Sequence, residues 1–437
     1  MVDVTPLNGI TYNKEKIDHL DDVMSPPYDI ISSEMQETLY QKHPYNFVRL
    51  ILGKKTEQDT EKNNRYTRAQ KQFNKWLQES ILIGSDEPSI FPYKIDYKIN
   101  GSSRTMSGFF ILLKLDPSYE KVKAHEKTLS KPKADRLNLM RACQANLEPI
   151  QLLYIDEQNE IQKKIEENIQ DKPYISVKGY DTFIHSIWKL TDDETINYIK
   201  KKLKDEILFI ADGHHRYQTA VNFAEEMKSK HDSNNSAYNY RMVILANMFD
   251  EGLAILPTHR LMHLPHLDRT KFIEQVKKYF MVKKYQIDDN KNYTELSENI
   301  KNQIKTDSNH KFALYFKDSY FVLTLKDEKT MNQLATNRSE TWRTLDVSIL
   351  HKIIIENILN ITQDSLEDHV KYTREDTEAL QFVDEGRFDF SILMNATKID
   401  ELKTIAEAGE HMPQKSTYFL PKMLSGLVMY KMNEKSV

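Results

Sequence analysis

The sequence predicts an α+β protein with mixed, largely antiparallel sheets. Two stretches, residues 91–115 and 312–325, carry hairpin patterning, and a hairpin imposes antiparallel pairing. Elsewhere strand and helix patterns alternate without the regular rhythm of a doubly wound parallel sheet. A buried-strand run at residues 207–211 passes through Asp212-Gly213 straight into a helical pattern, and the chain is organised around that junction.

Taken in order, Pro26-Pro27-Tyr28-Asp29 makes a rigid extended turn. Residues 46–52 read as a strand, with Arg49 either a solvated edge residue or a ligand arm. Between residues 59 and 80, Tyr66, Ala69, Phe73, Trp76 and Leu77 keep helical spacing, which makes this aromatic stripe a core face. Asn100-Gly101 is the preferred two-residue hairpin turn. His125-Glu126 lies at a strand end ahead of a helix over 135–145. The pair is placed like a catalytic base, but on its own a surface pair is the stronger reading. Residues 149–155 form a buried strand.

After the central junction, Tyr217, Ala220, Val221 and Ala224 recur at helical spacing. A polar loop follows over 228–239. Residues 242–248 and 252–260 read as a strand pair that ends in a second cationic run, His259-Arg260. Residues 345–359 are an amphipathic helix, and the tail alternates strand, helix, strand and helix from 370 to 407. Lys415, Ser416 and Thr417 then make either a phosphate grip or a polar turn. Three regions result: an N-terminal α+β extension over 1–120, a core carrying the Asp212-Gly213-His214-His215-Arg216 motif over 121–265, and a C-terminal α/β lobe over 266–437.

Composition narrows the classes. A chain of 437 residues with a net charge of −4 and no long basic run gives no expectation of a nucleic-acid partner. No apolar stretch reaches the length of a membrane span, and the polar start does not read as a signal peptide, so a cytoplasmic protein is expected. The single cysteine, Cys143, excludes a disulfide framework and a cysteine-cluster metal site; it reads as a small buried helical residue.

The chemistry concentrates at residues 212–216. Asp212 falls at the expected N-cap, with His214, His215 and Arg216 in the first helical turn. That turn carries the positive end of the helix dipole and N–H groups without intrahelical partners, which suits a phosphate. Cations there oppose the dipole and cost stability unless an anion joins them. Asp212 adds a carboxylate for proton transfer or for a metal. No Gly-rich Walker loop and no protein-kinase catalytic motif occurs.

Pro26-Pro27-Tyr28-Asp29, His125-Glu126, Asp135-Arg136, residues 211–217, Leu256-Pro257-Thr258-His259-Arg260 and residues 412–417 together resemble, over essentially the whole chain, the family known as domain of unknown function 1015. Residues 209–216 are also similar to the signature of archaeal free-serine kinases of the ParB and sulfiredoxin-like superfamily. Three further features keep the same order: His125-Glu126, the turn Asp250-Glu251-Gly252, and the tail from Asp384 to Pro421. This chain is longer than those kinases, with about a hundred extra N-terminal residues and a wider gap between the central motifs.

The second resemblance implies a ParB/sulfiredoxin-like core with added α/β lobes. It implies phosphoryl transfer from ATP or ADP, with Mg2+, to free L-serine or a close analogue. Glu126 is then the base, Asp212 orients the acceptor hydroxyl or binds the metal, and Gly213, His214, His215 and Arg216 hold nucleotide phosphates. Further contacts to substrate or phosphate are expected from His125, Arg136, Thr219, His259, Arg260, Lys415, Ser416 and Thr417. Two alternatives stand beside this: a nucleotide-binding regulator of ParB type, and a metal-dependent phosphohydrolase with His214, His215 and His259 as ligands.

Overall fold

A computed structural model describes residues 1–99, 101–126, 130–230, 237–288, 290–305, 309–362, 364–413 and 415–432. The chain forms two compact units: residues 1–124, 128–254 and 421–437 make the first, and residues 125–127 and 255–420 make the second. The α+β class with largely antiparallel sheets holds in both. No helix among the described residues is long and apolar enough to cross a membrane.

The first unit is built on a nine-stranded sheet. Its strands are β1 (Val4–Thr5), β2 (Phe91–Ile99), β3 (Ser102–Lys114), β4 (Val122–Lys123), β5 (Ile150–Tyr154), β6 (Ile175–Lys178), β7 (Ile184–Ile187), β8 (Leu208–Asp212) and β9 (Tyr240–Asn247). They run in the order β4-β8-β5-β9-β3-β2-β7-β6, with β1 on β3. Among the described residues, only β4 with β8 and β5 with β9 pair in parallel in this sheet. Residue 120 thus falls between two strands of one sheet. The central position of β3 explains its apolar stretch: Gly108 to Leu113 is buried on both faces, where alternation gives way to a continuous hydrophobic run.

Three helices shape the site: α1 (Arg65–Gln78), α2 (Ser130–Cys143) and α3 (His214–Lys228). Tyr217 and Val221 of α3 pack into the cluster of Phe109, Ile111, Leu152, Leu208 and Val243, each buried. At about 1.5–3 kcal/mol per large apolar side chain, this contact fixes where the start of α3 points. Cys143 closes α2 with 4% exposure, and burial pushes its thiol up to about 12, as for a packing residue.

The second unit holds a six-stranded antiparallel sheet of β10 (His259–Met262), β11 (Phe280–Gln286), β12 (Lys311–Phe316), β13 (Ser319–Leu325), β14 (Val370–Thr373) and β15 (Phe390–Met394). Their order is β11-β13-β12-β15-β10-β14. Helix α4 (Asp376–Asp384) lays Ala379, Leu380 and Val383 on Leu261, Ala313 and Leu393.

Three expectations need correction. Residues 48–51 are helical, not a strand. Phe47, Val48, Leu50 and Ile51 are all buried, and a short apolar run buried on every side has no periodicity to separate the two states. Asn46 turns the chain there by accepting from Val48 N at 3.0 Å while donating to Asp22 O and Met24 O. Residues 242–248 and 252–260 do not pair: β9 lies between β3 and β5, whereas β10 pairs β14 and β15 in the second unit. The helix N-cap is Gly213, since Asp212 is still the last residue of β8. Asn100 of the expected hairpin turn and residues 231–236 of the expected loop lie outside the described residues.

Candidate functional site

The buried strand β8 delivers Asp212 to a turn where Gly213 has φ +92, a left-handed conformation that favours glycine. A Cβ at Gly213 would also meet the Arg216 guanidinium at 3.0–3.2 Å, so the missing side chain makes room for that arginine. Gly213, as the N-cap of α3, gives it no side-chain hydrogen bond. His214 is buried, His215 half-buried and Arg216 buried, all in the first turn.

Arg216 folds back instead of pointing outward. It pairs with the Asp212 carboxylate and donates to the Pro149 carbonyl. The second Asp212 oxygen takes the ammonium of Lys422, a residue 210 positions away that returns to this unit. Burial alone would raise the Asp212 carboxyl, but Lys422 and Arg216, helped by His214, outweigh it and hold the group well below the usual carboxylate range. Asp212 is therefore a fixed anion at neutral pH.

Behind the turn lies a second polar layer that joins two more motifs. Glu148 is 3% exposed and accepts from Tyr28 N at 3.1 Å, Arg136 Nη1 at 3.3 Å and Ser425 Oγ at 3.3 Å. The Arg136 guanidinium sits 3.9 Å from the centre of the Tyr28 ring and donates to Asp135 at 2.9 Å. Asp135 also accepts from Tyr66 at 2.7 Å and pairs with Arg65, both at the start of α1. Arg241, 4% exposed, donates to the Glu148 carbonyl at 3.0 Å. Thr219 is fully buried one turn into α3 and reaches the Lys133 carbonyl at 3.5 Å, so its hydroxyl is directed at backbone.

The remaining expected residues belong to the second unit. His125 Nε2 is 2.9 Å from Thr417 Oγ1, and the His125 carbonyl accepts from Met412 N at 2.8 Å. Glu126, half-buried, forms a parallel bridge with Met412. Ser416 donates to the Pro413 carbonyl, and its own carbonyl accepts from Thr397 at 2.9 Å; Lys415 is exposed. His259 is fully buried with Nε2 2.8 Å from Asp376. Arg260 is 1% exposed and donates to the Thr258 carbonyl and the Met394 sulfur; among the described residues its Nε and Nη2 have no partners.

Among the described residues, no group of three or more His, Cys, Asp or Glu side chains is placed to hold a metal ion, which is the donor set a metal-dependent phosphohydrolase would need. Sequence reasoning missed Lys422, Glu148 and Arg241. Each is a lone charge inside an apolar run, and such a charge can be buried only with a partner; that signal was there to read.

Residues 4–348 match a family model described as protein of unknown function (DUF1015). A comparison with curated proteins finds no match. Solved structures with weak similarity include a free serine kinase in complex with AMP, at 13% identity over 73% of this chain and 92% of that one, with a TM-score of 0.35. A mutant free serine kinase in complex with ADP shows 14% identity over 73% and 92%, with a TM-score of 0.35. SbnI with a C-terminal truncation, from Staphylococcus aureus, shows 10% identity over 72% and 85%, with a TM-score of 0.34. Each score is below 0.5, so the chemistry must be argued from this chain's own residues.

Proposed function

The chain belongs to the DUF1015 family, and we propose that it is a small-molecule kinase transferring a phosphoryl group from ATP or ADP to the hydroxyl of free L-serine or a close analogue, giving O-phosphoserine. One observation carries this reading. A fifteen-residue helix starts without a side-chain cap at a left-handed glycine, next to an aspartate held anionic by Lys422 and Arg216. Phosphoryl transfer asks little covalent chemistry of a protein; it asks for positioning and for charge stabilisation around phosphate oxygens. A helix start supplies the N–H groups and the dipole, and His214 and His215 in its first turn add ring nitrogens that can donate.

In this reading the acceptor oxygen attacks the terminal phosphorus. The bond from that phosphorus to the bridging oxygen breaks, and its electron pair leaves with ADP or AMP. The hydroxyl proton passes to a carboxylate, the role that the resemblance gives to Glu126. Asp212 suits orientation better than proton transfer, because a carboxyl held so low is a weak base. Each of its oxygens keeps a lone pair beyond the one that Lys422 or Arg216 engages, so it can still accept from a hydroxyl.

Asp212 does not fit magnesium as a direct ligand, since both its oxygens already carry a cation. Magnesium here travels with the nucleotide phosphates as part of the substrate, and no step is assigned to a resident ion.

The test is incubation of the purified protein with serine, magnesium and either ATP or ADP, with O-phosphoserine as the readout. Absence of product with both nucleotides overturns the reading. Glu126→Gln should lower kcat by about 10²–10⁴, the usual contribution of a general base, with nucleotide affinity nearly unchanged. A variant of undiminished rate removes Glu126 from the mechanism.

A further inference from the structure

We propose that the small cavity behind the Asp212 turn, between α2, Glu148 and the first residues of β9, is a binding site for one small monovalent anion, chloride in the cell, held chiefly by Arg241. The cavity measures about 20 Å³ and is lined on its polar side by Arg136, Glu148, Arg216 and Arg241. That volume takes one body the size of a water molecule and excludes phosphate or a nucleotide.

Arg241 carries the argument. It is 4% exposed, and among the described residues only its Nη2 is used, on the Glu148 carbonyl at 3.0 Å, while Nε and Nη1 have no partner. A guanidinium stays charged in proteins, so a buried one with idle N–H groups needs an anion. None of the buried carboxylates beside the cavity is at liberty to be that anion, and Asp29, which also acts on Arg216, is exposed to solvent. Glu148 serves Tyr28, Ser425 and Arg136; Asp212 serves Arg216 and Lys422; Asp135 serves Arg65, Arg136 and Tyr66. Buried cations outnumber buried carboxylates around the cavity. Burial first, and Arg216 second, push the Arg241 group down to about 9, against a smaller rise from Glu148.

The other wall, Leu139, Met140, Ala145 and Leu147, separates chloride from water as the occupant. A buried water seeks about three hydrogen-bonding partners and neutralises no charge. A halide needs only donors and tolerates the apolar side. Because Arg216 spans from this cavity to Asp212, the anion would also fix the arginine that positions the catalytic-site aspartate. The inference stands on the cavity and its charges, independent of the kinase reading.

Crystals grown in bromide should give an anomalous peak beside Arg241 Nε and Nη1; a cavity empty or holding only water overturns the proposal. In solution at constant ionic strength, exchanging gluconate for chloride should raise Tm saturably by about 2–4 °C. Arg241→Met should abolish that rise. If that variant does not fold, Ala145→Val, which fills the cavity and keeps every charge, should abolish it instead. A wild-type Tm equal in both salts, with or without a crystal peak, overturns the proposal by reducing it to binding at crystal concentration only.

Discussion

Arg216 in the first unit and Arg260 in the second are both buried guanidiniums next to a sheet strand, and they are satisfied in opposite ways. Arg216 meets the Asp212 carboxylate and a carbonyl. Arg260 has a carbonyl, a thioether sulfur and the Tyr372 ring 5.6 Å away, and no carboxylate among the described residues pairs with it. An arginine neutralised from within is committed to the fold before any ligand arrives. One without a counterion carries a standing cost that an anion from outside can relieve. Of the two cationic runs, the one in the first unit is thus held by the fold's own carboxylate, while Arg260 has none among the described residues.

The comparison breaks most easily at Asp212. Asp212→Asn leaves Lys422 and Arg216 buried without their shared anion, and should cost about 3–5 kcal/mol in urea unfolding. A loss under about 1 kcal/mol would mean that the carboxylate does not balance them.

His351 sharpens the other side. Burial, the main cause, and then Arg260 and Lys352 pull its pKa down to about 4, against a rise from Glu356. The unfolded chain protonates this histidine below about 6.5, the folded chain only near 4. The unfolded state therefore binds more protons in that window, and stability falls as pH drops through it, by on the order of 3 kcal/mol in all. His351→Gln should flatten this acid limb in denaturation curves taken from pH 7 to 4; an unchanged limb assigns it to other groups.

The smallest effect has the opposite sign. Arg260→Met exchanges a buried cation without a counterion for an apolar side chain and should stabilise the ligand-free protein by about 1–2 kcal/mol. The same variant should shorten the acid limb, because one of the charges depressing His351 is gone. Destabilisation would show that Arg260 is already neutralised from within, and the contrast with Arg216 would disappear.

The strand, turn and helix around Asp212-Gly213 were legible because three local signals agree: a buried apolar run, a permissive glycine and helical spacing after it. The hairpins were legible for the same reason. What could not be read was pairing at long range. Nothing near Asp212 in the sequence announces Lys422, and nothing near His259 announces Asp376. The first-turn position of Arg216 also hid its direction, since the pattern places a residue on a helix without saying whether it reaches outward or folds back. Residues 47–51 failed because uniform burial erases periodicity.

The return of residues 421–432 to the first unit has a consequence for biosynthesis. Translation proceeds at about 5–20 residues per second, so roughly 10–40 s separate the emergence of Asp212 from that of Lys422, 210 residues later. Throughout that interval the nascent chain carries the Asp212–Arg216 pair without its ammonium and the Glu148 carboxylate without Ser425. Residues 255–420 are thus made before Lys422 can join Asp212, and the turn at Gly213 waits for a whole second unit to be synthesised.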